Sequence, residues 1–236
     1  MEKLLNQLVE KLQKAFEDRL VSVILYGSAA SGQYHPHFSD LNLLCVLNQV
    51  TPRELAAGEA IFQWWRAQGS PSPLLLSEHE FFTATDSFAI EFHDIQRQHR
   101  LLYGKDLTAS LVVDDSFYRA QVEHDLRAKL LRLRQKAAGM LSADDRLRRL
   151  LLDSLSTFCV LFRHALILDG VEPPATKREI IARASERFGL DRAPFDKLLD
   201  VREERLKPRE IQPANLLGGY LQGISTVIEA VDRFEK

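Results

Sequence analysis

Two short apolar runs constrain the fold most: VSVILYG at 21–27 and LNLLCVL at 41–47. Both read as buried strands. The first ends at a glycine, and the second follows a polar loop that closes on Asp40. Ahead of them, Leu4, Leu5, Leu8, Val9, Leu12 and Phe16 recur at helical spacing, which predicts an amphipathic helix. Behind them, Thr51-Pro52-Arg53-Glu54 sets a cap, a first-turn proline and a capping-box acid in order, so a helix starts there and runs to about Gly69. SPLLLS at 72–77 reads as a third strand, and Ser77 with Glu80 suggests another capped turn. DSFAIEFHDIQRQ at 86–98 is ambiguous: Phe88, Phe92 and Ile95 fit a helix, whereas Phe88, Ile90 and Phe92 fit a strand. HRLLYGKDL at 99–107 resembles a final strand and its exit.

From about Ser116 the pattern becomes helical throughout. FYRAQVEHDLRAKLLRLRQKAAGML and DDRLRRLLLDSLSTFCVLFRHALILDG are long helical stretches, and three further segments follow. The predicted fold class is therefore α+β: a small mixed-sheet domain over 1–112, then an all-α helical bundle over 113–236. No repeat or low-complexity linker separates the two halves, so they are expected to pack closely with a pocket between them.

The strand–turn–strand unit carries chemistry. A glycine after a strand lets the backbone approach a phosphate closely. Ser28 can donate its hydroxyl, and a short helix behind it aims free N–H groups at an anion. A carboxylate at the start of the next strand can hold a hard cation that bridges to the same phosphates. Alternate residues of a strand share a face, so Asp40 and Asn42 point the same way.

LYGSAASG followed by SDLNLLCVL resembles the signature of the nucleotidyltransferase superfamily, the polymerase-β-like fold, and in particular the small bacterial aminoglycoside-nucleotidyltransferase-like members. The resemblance is sharpest over 21–47. It implies that Gly27 and Ser28 hold a triphosphate and that Asp40 is the first metal ligand. It also implies Mg²⁺ as cofactor, with ATP or another nucleoside triphosphate as ligand. Two departures stand out. Asn42 occupies the second acidic position of the Asp-x-Asp pattern, and the third acid, expected in SPLLLS near Leu75, is missing. Glu91 or Asp94 is the substitute if FAIEFHD runs beside the second strand. Each missing acid removes roughly 4 kcal/mol of attraction to a unit cationic charge at 4 Å and an effective dielectric of 20.

Three functions follow from that pattern. The first is a nucleotide- and Mg²⁺-binding protein with weakened or lost transferase activity. The second is an active enzyme that moves a nucleoside monophosphate onto a hydroxyl of a small molecule or protein. In it Asp40 and Asn42 hold the metal, and Glu91 completes the catalytic set. The third is a non-enzymatic antitoxin-like or dimerisation partner, for which a homodimer is the natural assembly. Lys177, at a helix start after a proline-rich turn, is a further candidate phosphate contact.

Other features carry simpler readings. His35 and His37 lie in the loop over the expected pocket and read as solvated. Arg119 and His124 match the Arg-x4-His spacing of helical ribonucleases, a spacing that seven histidines produce by chance. The cations of LRAKLLRLRQK and RLRRL leave Leu126, Leu130 and Leu133 as a buried stripe. They read as a solvated face, with phosphate attraction as the alternative. Of Trp64 and Trp65, one is expected in the core and the other near the domain boundary. Net charge is -2, so no global field recruits nucleic acid or a membrane. Cys45 and Cys159 sit in apolar runs and read as core residues, with no disulfide or zinc spacing. No apolar run approaches membrane-spanning length and the N-terminus lacks a signal-peptide core, so a reducing, cytoplasmic setting is expected.

Overall fold

The computed structural model describes residues 1–30 and 41–234. The chain divides into two compact units, Met1–Phe117 and Tyr118–Lys236.

In the first unit the elements run α1 (Glu2–Phe16), β1 (Leu20–Tyr26), β2 (Asn42–Leu47), α2 (Pro52–Ala67), β3 (Leu74–Ser77), α3 (Glu78–Thr83), α4 (Ala89–Arg97) and β4 (His99–Gly104). The four strands form a mixed sheet in the order β3-β2-β1-β4. β1 is antiparallel to both β2 and β4, and β2 is parallel to β3. β1 and β2 are apolar on both faces because each face is covered. Leu5, Leu8, Leu12 and Phe16 of α1 close over Val23, Leu25, Leu43 and Cys45 on one face. Phe81 of α3, with Phe92 and Ile95 of α4, covers Ile24, Leu44 and Val46 on the other.

Local signals set the helix starts. Thr51 and Glu54 form a reciprocal capping box, as do Ser77 and Glu80. Glu54 has no exposed surface; it accepts hydrogen bonds from Thr51 and from Arg19 Nη1 at 2.7 Å, which ties α2 to the end of α1. The ambiguous 86–98 stretch resolves as helix, with its apolar residues buried against the sheet and Glu91 in its first turn. Trp65 is buried, its indole N–H donating to the Pro71 carbonyl, while Trp64 lies under Lys11 of α1.

The second unit contains α5 (Tyr118–Ala138), α6 (Asp144–Leu168), α7 (Lys177–Phe188), α8 (Ala193–Arg202) and α9 (Pro213–Asp232). α6 is its central helix and packs against the other four. By length and composition α6 is apolar enough to cross a membrane, contrary to the reading of the sequence. Here its apolar residues, Leu147 through Leu166, are instead buried among neighbouring helices. Phe158, Phe162, Phe195 and Tyr220 meet at ring-centroid distances of 4.8–6.0 Å in the middle of this core. A buried hydrogen bond of 2.6 Å between the Tyr118 hydroxyl and His164 Nδ1 joins α5 to α6. Arg178 of α7 reaches Asp196, Asp200 and Glu203, at distances from 2.7 to 3.3 Å.

Candidate functional site

The site is built where β1 ends. Gly27 opens a 3-10 turn, Gly27–Ala29, with φ of 75°, a left-handed conformation that favours glycine. Its N–H donates to the Gln98 carbonyl at 3.2 Å, and its own carbonyl accepts from Ala30 N–H at 3.0 Å. A Cβ placed on Gly27 would stand 3.2 Å from Asn42 Nδ2, so the turn and the first residue of β2 are in direct apposition. Ser28 is the second residue of this turn. Asp40, with His35 and His37, lies outside the described residues.

Asn42 pairs across the ladder with Tyr26, which pairs on its other side with His99 of β4. His99 is fixed from both ring nitrogens. Nδ1 donates to the Ile95 carbonyl at 2.9 Å, and Nε2 meets the Thr108 hydroxyl at 2.8 Å. This row of three residues shares the strand face that continues into Leu44 and Val46, the face covered by α3 and α4. The Tyr26 phenol is pushed up by burial, and then by the charges of Glu91 and Asp94. Those carboxylates therefore act on the row from α4 rather than from a strand beside β2.

The register corrects the expected place of the third acid. Leu75 pairs with Cys45 and packs in the opposite core cluster, on the α1–α2 side. The β3 positions that share Asn42's face are Leu74 and Leu76, both apolar. Among the described residues no three of the His, Cys, Asp and Glu side chains group to hold a metal ion. Asn42, a neutral amide, is the side chain in apposition to the turn, while Glu91 and Asp94 on α4 bear on the row through their charges on Tyr26. This set does not by itself make a cage for Mg²⁺.

In the second unit Lys177 is the first residue of α7, behind a capping box of Thr176 and Glu179. Burial holds its ammonium below the usual range, with the charges of Arg202 and Arg163 acting in the same direction. Arg202 is buried and donates through Nη1 to the Ser156 hydroxyl. The charges of these three cations all act on Cys159 to lower its thiol, but burial outweighs them and pushes it up to about 12. Cys45 is likewise raised to about 12, so neither thiol is a ready nucleophile. The sequence reading missed Arg163 and Arg202. The signal for Arg163 was present, a cation inside the apolar run FCVLFRHALIL. The Arg119–His124 spacing makes no joint site. Arg119 is drawn to Glu123 at 2.9 Å and to the Val231 carbonyl, and His124 is exposed beside Asp125.

A family model described as a nucleotidyltransferase domain matches residues 5–129, more than half of the chain. The chain belongs to the nucleotidyltransferase domain family. Its fold is similar to that of spectinomycin adenyltransferase AAD(9) from Enterococcus faecialis, solved with ATP and spectinomycin. The identity is 16%, the TM-score is 0.65, and the match covers 99% of this chain and 100% of that one. Two toxin–antitoxin structures, one with AMP-PNP and one a mutant of MntA-HpeT, match 42% and 43% of this chain at 17% identity. They are covered to 73% and 74% of their own chains, with TM-scores of 0.30 and 0.31. No curated protein sequence matches the chain. The matched span includes both the Gly27 turn and Asn42, the two segments in apposition at the end of β1.

Proposed function

We propose that this nucleotidyltransferase-family protein binds a nucleoside triphosphate at the Gly27-Ser28 turn and that its transfer activity is weakened or lost. The observation that carries the reading is the face shared by Asn42, Leu44, Leu74 and Leu76. It presents an amide and leucines where a two-ion centre needs several carboxylates. Gly27 supplies close backbone approach, and Ser28 supplies a hydroxyl. Lys177, Arg163 and Arg202 are a second group of cations suited to phosphate. Mg²⁺ would accompany the nucleotide, with Asp40 and the Asn42 carbonyl as the residues that would help hold it. The buried, high-pKa thiols suit a reducing, cytoplasmic setting.

The test is calorimetric titration with ATP and MgCl₂, alongside a pyrophosphate-release assay over a panel of hydroxyl acceptors. Saturable binding that Asp40→Ala abolishes, without pyrophosphate release, is the expected result. Steady pyrophosphate release by the wild type would overturn the loss of activity. It would favour an active transferase that uses Glu91, a reading supported by the effect of the Glu91 and Asp94 charges on Tyr26. Absence of any binding at millimolar nucleotide would leave only a non-enzymatic partner role.

A further inference from the structure

The basic run of α5 is not absorbed by the nucleotide turn, and it borders a cavity. Lys129, Arg132 and Lys136 follow one another at i, i+3 and i+7, which sets them on one face of the helix over about 10 Å of its length. All three are exposed and line a groove of about 250 Å³ between α5 and α6. On the α6 side stand Thr157, exposed, and Asp153, which leans 3.7 Å towards Arg149. Buried Phe158 lies at the floor.

The neighbouring cations of α5 are already engaged. Arg119 and Arg127 bind Glu123, and Arg134 donates to the Ser225 hydroxyl. Among the described residues none of Lys129, Arg132 and Lys136 is paired with a carboxylate. Like charges at these spacings repel one another along a helix. A bound anion would relieve that repulsion, and one shared carboxylate across the groove leaves a cationic surplus suited to a dianion. The surplus belongs to this half of the chain. Residues 118–236 hold 22 Lys and Arg against 18 Asp and Glu, whereas residues 1–117 hold 9 against 15.

We propose that the α5–α6 groove binds a small organic phosphate monoester, its dianion held by Lys129, Arg132 and Lys136 and its hydroxyls by Thr157 and Asp153. The volume, just below that of common ligand pockets, suits one sugar phosphate or nucleoside monophosphate rather than a large cofactor. The concave shape between two helices suits a small molecule rather than a polymer lying along a ridge.

The experiment is calorimetric titration of the full chain at low salt with ribose 5-phosphate and, separately, with AMP, followed by hydrogen exchange. It compares wild type, Arg132→Ala/Lys136→Ala and Gly27→Ala. All substituted groove residues are exposed, so the fold is retained. The proposal expects saturable binding with protection confined to α5 and α6 peptides. The double substitution should weaken it at least about tenfold, the scale of a lost charge-assisted hydrogen bond. Ribose 5-phosphate, which carries no base, is the probe for the groove, and its binding should be the same in Gly27→Ala as in wild type. AMP binding more tightly than ribose 5-phosphate identifies the nucleoside source, and equal affinities identify the sugar phosphate. No saturable binding of either at millimolar concentration would overturn the proposal, as would affinities indifferent to the double substitution. Binding only of a short single-stranded oligonucleotide would also overturn it, in favour of a nucleic-acid face.

Discussion

Replacing Gly27 by alanine perturbs the site with the least new chemistry. The substitution meets two costs. At φ of 75° a side chain is strained, which costs about 1–2 kcal/mol. The new Cβ also stands 3.2 Å from Asn42 Nδ2, so the amide must give by a few tenths of an ångström. A loss of about 1–2 kcal/mol corresponds to roughly 4–8 °C in Tm for a unit of this size. Both tryptophans, Trp64 and Trp65, lie in α2 of the same unit, so tryptophan fluorescence during urea and thermal unfolding reports on it selectively. Asn42→Gly separates the costs: in that background Gly27→Ala should retain the backbone strain and lose the steric part. The same substitution should weaken ATP binding, because the methyl group occupies the approach to the turn. Elsewhere Gly→Ala commonly stabilises by roughly 0.4–1 kcal/mol through the unfolded chain. If Gly27→Ala leaves the midpoint unchanged or raises it, the left-handed turn and its apposition to Asn42 are refuted.

Three further outcomes follow from the same contacts. Asn42→Asp restores an acid on the face of the turn and should raise Mg²⁺-dependent ATP affinity in titration; no change would mean that the family resemblance stops at the fold. The Glu54 carboxyl is pulled down from 4.5 to about 2 by its hydrogen bonds to Thr51 and then Arg19. Its stabilising contribution should therefore be complete above pH 4.5 and fade as pH falls towards 2, with the gap in urea midpoint between wild type and Glu54→Gln closing over that window. Arg178→Ala removes the cation shared by Asp196, Asp200 and Glu203, while Arg192 and Arg205 keep Asp196 and Glu203 partly paired, and should cost about 1 kcal/mol, read by circular dichroism in urea.

Much of the secondary structure was legible because its determinants lie within a few residues of one another. The α1 stripe, the capping boxes at Thr51–Glu54 and Ser77–Glu80, and the apolar runs that became β1 and β2 all belong to this class. The 86–98 stretch was not decided locally, because its apolar residues satisfy both a helical and a strand period. Packing of Phe92 and Ile95 on the sheet selects the helix.

The amino-acid sequence by itself determined the glycine at the end of β1, the amide at position 42 and the apolar character of 72–77, since each is a matter of residue identity. Tertiary structure decided which of these groups meet. The parallel pairing of β3 with β2 puts Leu75 on the far face and Leu74 and Leu76 on Asn42's face, because strand parity follows from register and not from composition. Helix α4, sixty-five residues after Tyr26 at Glu91, brings carboxylate charge to the strand end through the fold of the sheet. Arg163, Lys177 and Arg202 lie on three helices, and their charges act together on Cys159 only once α6, α7 and α8 pack together. Local periodicity can set a helix, but long-range burial alone selects the charges it brings together.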